Sequence, residues 1–237
     1  MFPKITHVFF DIGSTLVDET ECYNHRIYDA VAGTDITFEQ FTEKRIFFQK
    51  QNLKGDLEAI KFFGLKKTPW HREDERLYPE TEEILQYLHD KNYIIGAIAN
   101  QDFGTEKHLE EYGIRSYFNT ITASAEEEVA KPDPEIFRRA FKSAGCSAEN
   151  AVMIGDRLDN DIAPAKALGM KTIWIKQGFS AYCSPTCPQE QPDYTFLNLL
   201  ELKNIYIEGE PKWIKNAIAA ENSPNVKYPR ELHIYKL

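Results

Sequence analysis

The sequence predicts an α/β fold, a doubly wound parallel sheet with one small all-helical insertion, on three observations. Short apolar runs recur at His7 to Phe10, Tyr93 to Ala99, Ala151 to Gly155 and Lys171 to Lys176. Their hydrophobicity is continuous rather than alternating, as suits strands covered on both faces at the centre of a parallel sheet. Amphipathic helical patterns separate most of these runs and supply the right-handed crossovers that parallel strands require. From about Val17 to Leu77 the alternation stops and the pattern reads as helices only, which marks an inserted unit.

The first strand ends on Asp11 and breaks into Ile12-Gly13-Ser14-Thr15-Leu16. Ligands of such sheets bind beyond the carboxyl ends of the strands, so Asp11 is a candidate nucleophile; on its own it reads equally as the opening of an Asx-turn. Within the insertion, Tyr23, Ile27, Ala30 and Val31 share a helix face before Gly33. Thr37 to Gln40 fits a capping box for a second helix, with Phe38, Phe41, Ile46, Phe47 and Phe48 broadly at helical spacing. A third helix from Asp56 to Phe63 stops at Gly64, and Pro69-Trp70 opens a last short element. The aromatic residues here are expected to form the core of a bundle.

The βα alternation resumes after Tyr78-Pro79, with a helix to about Lys91 whose Ile84, Leu85 and Leu88 point inward. The next strand ends at Ala99-Asn100, a short helix closes at Gly113, and Asn119 to Ala123 reads as a strand. Lys131-Pro132-Asp133-Pro134 leads into an amphipathic helix with Asp133 as N-cap, Pro134 at the first helical position and Gly145 past its end. The strand from Ala151 ends at Gly155-Asp156, with Asp161 five residues on, and a weaker element lies near Asp193 to Leu200. In the tail, Trp213, Ile214, Ala217 and Ile218 fit a short helix, and Leu232 to Tyr235 fits an edge strand.

A chain of 237 residues is long enough for one large domain or a core with an insertion. Its net charge of −9, with no basic block, argues against binding a nucleic-acid backbone. No apolar run approaches the ~20 residues that span a bilayer, and the N-terminus lacks the pattern of a signal peptide, so a cytoplasmic location is the expectation. The dispersed cysteines Cys22, Cys146, Cys183 and Cys187 suit a reducing compartment. Cys183 and Cys187 have no histidine nearby to complete a zinc site. His89 and His108 lie on predicted helices and read as surface residues. Oligomeric state is left open.

Four segments in this order, with a helical insertion after the first, resemble the haloacid dehalogenase superfamily. Asp11, Thr15 and Leu16 match its first motif, Ala99-Asn100 its second, Lys131 before Pro-Asp-Pro its third, and Asp156 with Asp161 its fourth. The resemblance implies a Rossmann-like catalytic core over residues 1–17 and 78–200, a helical cap over 18–77, and an extension of unassigned role over 201–237. It further implies Asp11 as nucleophile, Lys131 as the cation beside it, and Ser14, Thr15 and Asn100 as groups that bind the substrate's phosphate. Asp11, the carbonyl of Gly13, Asp156 and, behind them, Asp161 are the residues implied for Mg²⁺, a cation that takes oxygen ligands in octahedral geometry. The substrate class implied is a small phosphorylated metabolite, attacked to give an aspartyl-phosphate.

Two departures from the family pattern stand out. The residue two after the nucleophile, usually a second Asp that protonates the leaving alkoxide, is Gly13, and the hydroxyl residue before Asn100 is Ala99. General acid–base assistance is worth about 10²–10⁴-fold, so the first departure matters more. One reading is a phosphatase whose proton comes from Ser14, Asp18, Glu19 or His71. A second is a hydrolase of C–P or C–halogen bonds, the former calling on a cap lysine such as Lys44, Lys50 or Lys54. The third is a pseudoenzyme that binds a phosphorylated ligand or a protein.

Overall fold

The computed structural model describes residues 5–204; the helix and strand read in the tail after position 204 lie outside them. In chain order the elements are β1 (His7–Phe10), β2 (Val17–Asp18), α1 (Thr20–Val31), α2 (Phe38–Gln49), α3 (Gly55–Phe63), β3 (Arg76–Leu77), α4 (Thr81–Asp90), β4 (Ile94–Ala99), α5 (Thr105–Glu111), β5 (Thr120–Ala123), α6 (Ser124–Glu127), α7 (Pro134–Ala144), β6 (Ala151–Gly155), α8 (Ala163–Ala167), β7 (Lys171–Ile175) and β8 (Tyr194–Phe196). Six strands form one parallel sheet in the order β5-β4-β1-β6-β7-β8. Strand β1 is central, flanked by β4 and β6, and the chain winds outward from it in both directions. A ligand-binding crevice at the carboxyl end of β1 follows from that topology.

Alternate residues of β1 serve opposite layers. Val8 and Phe10 pack with Ile84, Leu85 and Leu88 of α4 and with Leu109 of α5. Phe9 points the other way, to Ile136, Phe137 and Ala140 of α7 and Ala165 of α8. Both faces are thus covered, which is why the strands read as unbroken apolar runs. Helix α7 begins as its sequence signals: Asp133 accepts from the Glu135 N–H at 2.8 Å, Pro134 occupies the first turn, and Gly145 closes the helix in the left-handed region at φ 66°.

Helices α1, α2 and α3 form a separate small core around Ile27, Phe41 and Ala59. Thr37 and Gln40 make the reciprocal capping box. The expected aromatic core is only partly realised. Of the five apolar residues read on α2, Phe41 alone is buried and Phe47 is 55 % exposed. Phe47 is one position, or about 100°, away from the Phe38/Phe41/Phe48 side of the helix. It and Phe62 instead sandwich the Lys44 ammonium on the outside.

The two crossings between core and insertion are not helical. Strands β2 and β3 pair antiparallel, Val17 with Leu77 and Asp18 with Arg76, so the chain leaves and re-enters the core side by side. Behind them Leu16 O accepts from the Tyr78 N–H at 3.1 Å and from Thr81 Oγ1 at 2.7 Å. A second tie lies on the far side, where Asn52 Nδ2 donates to Ser184 O at 2.6 Å and Asn52 Oδ1 accepts from the Ser184 N–H at 3.1 Å. All four cysteines are free. No helix among the described residues is long and apolar enough to cross a membrane.

Candidate active site

Asp11 follows β1, Asn100 follows β4, Lys131 lies in the loop after α6, and Asp156 follows β6, so four chain segments deliver polar side chains to one end of the sheet. The Lys131 ammonium, almost wholly buried, donates to Asp11 Oδ1 and to Asp161 Oδ1, each at 2.6 Å. Asn100 fixes the backbone of Lys131 twice: its Nδ2 donates to Lys131 O at 2.8 Å, and its Oδ1 accepts from the Lys131 N–H at 2.7 Å. Asn100 therefore orients the lysine as well as lining the site.

Asp161 comes from a single turn of π-helix, Leu158–Ile162, of the kind that recurs at functional sites. Its Oδ2 accepts from the Arg157 N–H at 2.9 Å. The turn folds its carboxylate over Gly155, where a Cβ would meet Asp161 Oδ2 at 2.4 Å and Cγ at 2.5 Å. A glycine is needed before Asp156 for that close approach. Asp156 is held from the next strand and loop, its Oδ2 accepting from Ser180 Oγ at 3.0 Å and its backbone carbonyl from Trp174 Nε1 at 2.6 Å.

Asp11, Asp156 and Asp161 are all buried and each offers an oxygen within 4.8 Å of the others. Burial, then the charges of Asp161 and Asp11, push Asp156 well above the usual carboxylate range. Burial raises Asp161 to about 6, against the pull of Lys131. Burial works against the charged form of Lys131 too, but Asp11 and Asp161 outweigh it and hold the ammonium above its ordinary value. Three buried carboxylates against one ammonium is a donor set short of positive charge. Among the described residues no hydrogen bond reaches Asp11 Oδ2 or Asp156 Oδ1, and oxygen ligands of that kind fit a hard divalent cation. Asp161 already uses both oxygens on Lys131 and Arg157, which sets it behind the other two.

The remaining residues expected at the site are placed less simply. Ser14 is buried, and its Oγ donates to Glu19 Oε2 at 2.7 Å. Thr15 is buried behind the cavity wall, with no hydrogen-bond partner for its hydroxyl among the described residues. Gly13 lines the cavity, beside the Glu19 carboxyl. Burial raises that carboxyl to about 7, Asp11, Glu75 and Asp18 adding to the effect and the Ser14 hydrogen bond opposing it. Asp18 Oδ1 is engaged by the Thr20 N–H at 2.9 Å. His71 is stacked on His25, ring centroids 3.4 Å apart, with Nε2 bonded to Asp29 at 2.7 Å. The two rings are parallel within 9°, so their lone pairs do not converge, and the cluster is a hydrogen-bonded feature of the insertion.

A cavity of about 330 Å³ opens over Asp11 between core and insertion. Tyr23, Arg26, Lys54, Asp56 and Lys67 line its far wall, and Arg157 lines its rim. Arg26 is paired with Asp56 at 3.4 Å and lies under Trp70. Apart from Lys54, read as a cap lysine, these charged residues escaped sequence reasoning, because nothing local tells a lysine or arginine that borders a cavity from one elsewhere on the surface. Ser180 carried no signal at all.

A family model described as haloacid dehalogenase-like hydrolase matches residues 8–175, and the chain belongs to that family. A glyceraldehyde 3-phosphate phosphatase of Methanocaldococcus jannaschii is 30% identical over 227 residues, covering 85% of this chain and 96% of the relative. A phosphoserine phosphatase of Thermus thermophilus is 29% identical over 133 residues, 55% of this chain and 50% of that protein. With this and further phosphatase relatives the chain spans about half the relative's length. Among solved structures, a HAD phosphatase from Thermococcus onnurineus is similar with a TM-score of 0.60 at 25% identity, covering 87% of this chain and 100% of that one.

Proposed function

We propose that the protein is a Mg²⁺-dependent phosphatase of small phosphorylated metabolites, with Asp11 as nucleophile. The observation that supports this most is the Lys131 ammonium wedged between Asp11 and Asp161 at 2.6 Å from each, at the floor of a polar cavity. A carboxylate that attacks a phosphate dianion needs the repulsion offset by cations and fixed donors, and Lys131 is one such cation. In this reading an oxygen of Asp11 bonds to phosphorus as the ester oxygen departs, and water then cleaves the aspartyl-phosphate. Lys131 pairs with Asp11 and faces the phosphoryl oxygens, and Asn100 keeps Lys131 in register. Mg²⁺ held by Asp11, Asp156 and the Gly13 carbonyl would neutralise charge on the phosphoryl group. Residues 18–77 act as a cap, whose Arg26, Lys54 and Lys67 face the substrate. Asp156, buried and held by Ser180, favours a metal-assisted hydrolase over cleavage of C–halogen bonds.

The test is phosphate release from an aryl phosphate and a panel of sugar and nucleotide phosphates, with and without Mg²⁺, alongside Asp11→Asn. Metal-dependent turnover that the variant loses while staying folded is the expected result. Turnover that survives Asp11→Asn refutes the nucleophile, and thermal stabilisation by Mg²⁺ with no ester turned over points to a binding protein.

A further inference from the structure

We propose that Glu19 is the acid–base catalyst of this site, supplying from the entrance of the cap the carboxyl group that position 13 lacks. The inference rests on the phosphatase reading above. Gly13 has no side chain, and the space its Cβ would take is filled: a Cβ there would meet Glu19 Oε1 at 2.5 Å, Cδ at 3.0 Å and Oε2 at 3.2 Å. An acidic residue at 13 and Glu19 in this position exclude each other. Glycine at 13 is therefore the complement of a carboxyl group that arrives from elsewhere, and not simply a deletion.

The local backbone is arranged to bring it there. Glu19 directly follows β2 and stands at the N-cap position of α1, yet its side chain makes no capping bond to that helix. It turns back to the core instead, where Ser14 Oγ donates to Oε2 at 2.7 Å. Ser14 makes that bond from a left-handed backbone, φ 55°, which a non-glycine residue adopts at a cost and which structures retain mainly where function calls for it. Glu19 faces the same cavity as Asp11, Asn100 and Lys131. Among the groups near this end of the sheet, Asp18 is tied to the start of α1 and His71 to Asp29.

In the first step the bond between phosphorus and the ester oxygen breaks as Asp11 forms its own O–P bond. The electron pair goes to the leaving oxygen, which takes the proton of the Glu19 carboxyl and departs as an alcohol. In the second step water attacks phosphorus, its proton passes to the Glu19 carboxylate, and the Asp11 O–P bond breaks to release phosphate. Acid, nucleophile and charge are all restored.

The experiment compares kcat/KM, which reports only as far as departure of the leaving group, for an alkyl phosphate and p-nitrophenyl phosphate. The proteins are wild type, Glu19→Gln, Asp11→Asn and the double variant Gly13→Asp/Glu19→Ala, each checked for folding by circular dichroism. Glu19→Gln is expected to lower the alkyl value by about 10²–10⁴-fold and the aryl value by roughly tenfold or less, since a nitrophenolate leaves with little protonation. The double variant, with a carboxylate at 13 and the space opened at 19, is expected to recover at least tenfold of the alkyl loss. Equal losses on both esters, or no loss, overturn the assignment of Glu19 while Asp11→Asn still tests the nucleophile. A wild-type protein that turns over neither ester overturns the phosphatase reading and this inference with it.

Discussion

Replacing Lys131 by Met isolates the electrostatics of the site. The side chain keeps a similar length, but two carboxylates lose an ammonium that each holds at 2.6 Å, in a place where Lys131 and Asp161 have almost no contact with solvent. Removing one partner of a buried pair costs about 3–5 kcal/mol, because the charge left behind has no water to turn to. For a chain of this size that is a fall in melting temperature of roughly 6–20 °C in metal-free buffer. The sign with pH follows from Asp161, which titrates at about 6 even with Lys131 present and higher without it. An acid whose folded pKa lies above its unfolded value of about 3.9 destabilises the fold at higher pH, and the penalty shrinks as pH falls below the folded value and is gone only below the unfolded one. The gap between wild type and variant should accordingly be widest near pH 7.5 and shrink toward pH 5. Added Mg²⁺ should restore part of it, since the cation would offset the charge of Asp11 and Asp156 beside Asp161. Urea unfolding of both proteins at the two pH values, in EDTA and in Mg²⁺, measures all of this. A loss under about 1 kcal/mol at pH 7.5 in EDTA, indifferent to pH, would refute the picture of an ammonium confined between two buried carboxylates.

Three further outcomes follow from contacts outside the lysine. Ser180→Ala removes the hydroxyl that holds Asp156 Oδ2, and calorimetric titration should show Mg²⁺ affinity lower by about 10–100-fold. Asn52→Gly keeps the left-handed backbone at that position, φ 57°, but breaks both hydrogen bonds to Ser184. Amide exchange near 49–55 and 182–186 should then rise by the equivalent of about 1–3 kcal/mol while global unfolding barely moves, and unchanged exchange would show that this tie does not hold the insertion to the core. The His71 imidazole is raised above its ordinary pKa first by its hydrogen bond to Asp29, and NMR titration of Asp29→Asn should find it lower. That bond supports the insertion below the unfolded histidine pKa of about 6.5 and loses its effect as pH rises through the folded value, so the variant should differ from wild type mainly in acid.

What the sequence made legible is what short stretches decide. The apolar runs of β1, β4, β6 and β7 are continuous because both sheet faces are covered, and the Thr37 capping box and the Asp133-Pro134 helix start are closed within a few residues. Residues just after the ends of neighbouring parallel strands lie at one edge of the sheet, so Asp11, Asn100 and Asp156 come together, and Lys131 reaches them from the loop after α6. Facing is another matter. Phe47 and Phe41 have the same composition-level meaning but opposite exposure, decided by where α3 packs. Lys54 and Lys67 line the same cavity as Asp11 while Lys44 lies on the Phe47 and Phe62 rings, a distinction that belongs to the fold of the insertion and not to any local pattern.

Glu19 marks the boundary between the two kinds of information. Four proton donors were compatible with the sequence, and the selection among them comes from backbone shape. At both Gly13 and Gly155 the chain turns so that a carboxylate six residues later lies against the glycine Cα, Glu19 in one case and Asp161 in the other. Each carboxylate is then fixed by a donor from the intervening loop, Ser14 Oγ for Glu19 and the Arg157 N–H for Asp161. Glycine at these positions is the condition for a close approach that a side chain would block, so a missing side chain in a motif and a gained carboxyl group in space are the same structural event. The pair at Gly155 sits in the site where the family's fourth motif places it. The pair at Gly13 has the same construction, at the point where the chain crosses to the insertion. A carboxyl group placed on that crossing is rooted in the insertion's first connection, whereas one at position 13 would be rooted in the core.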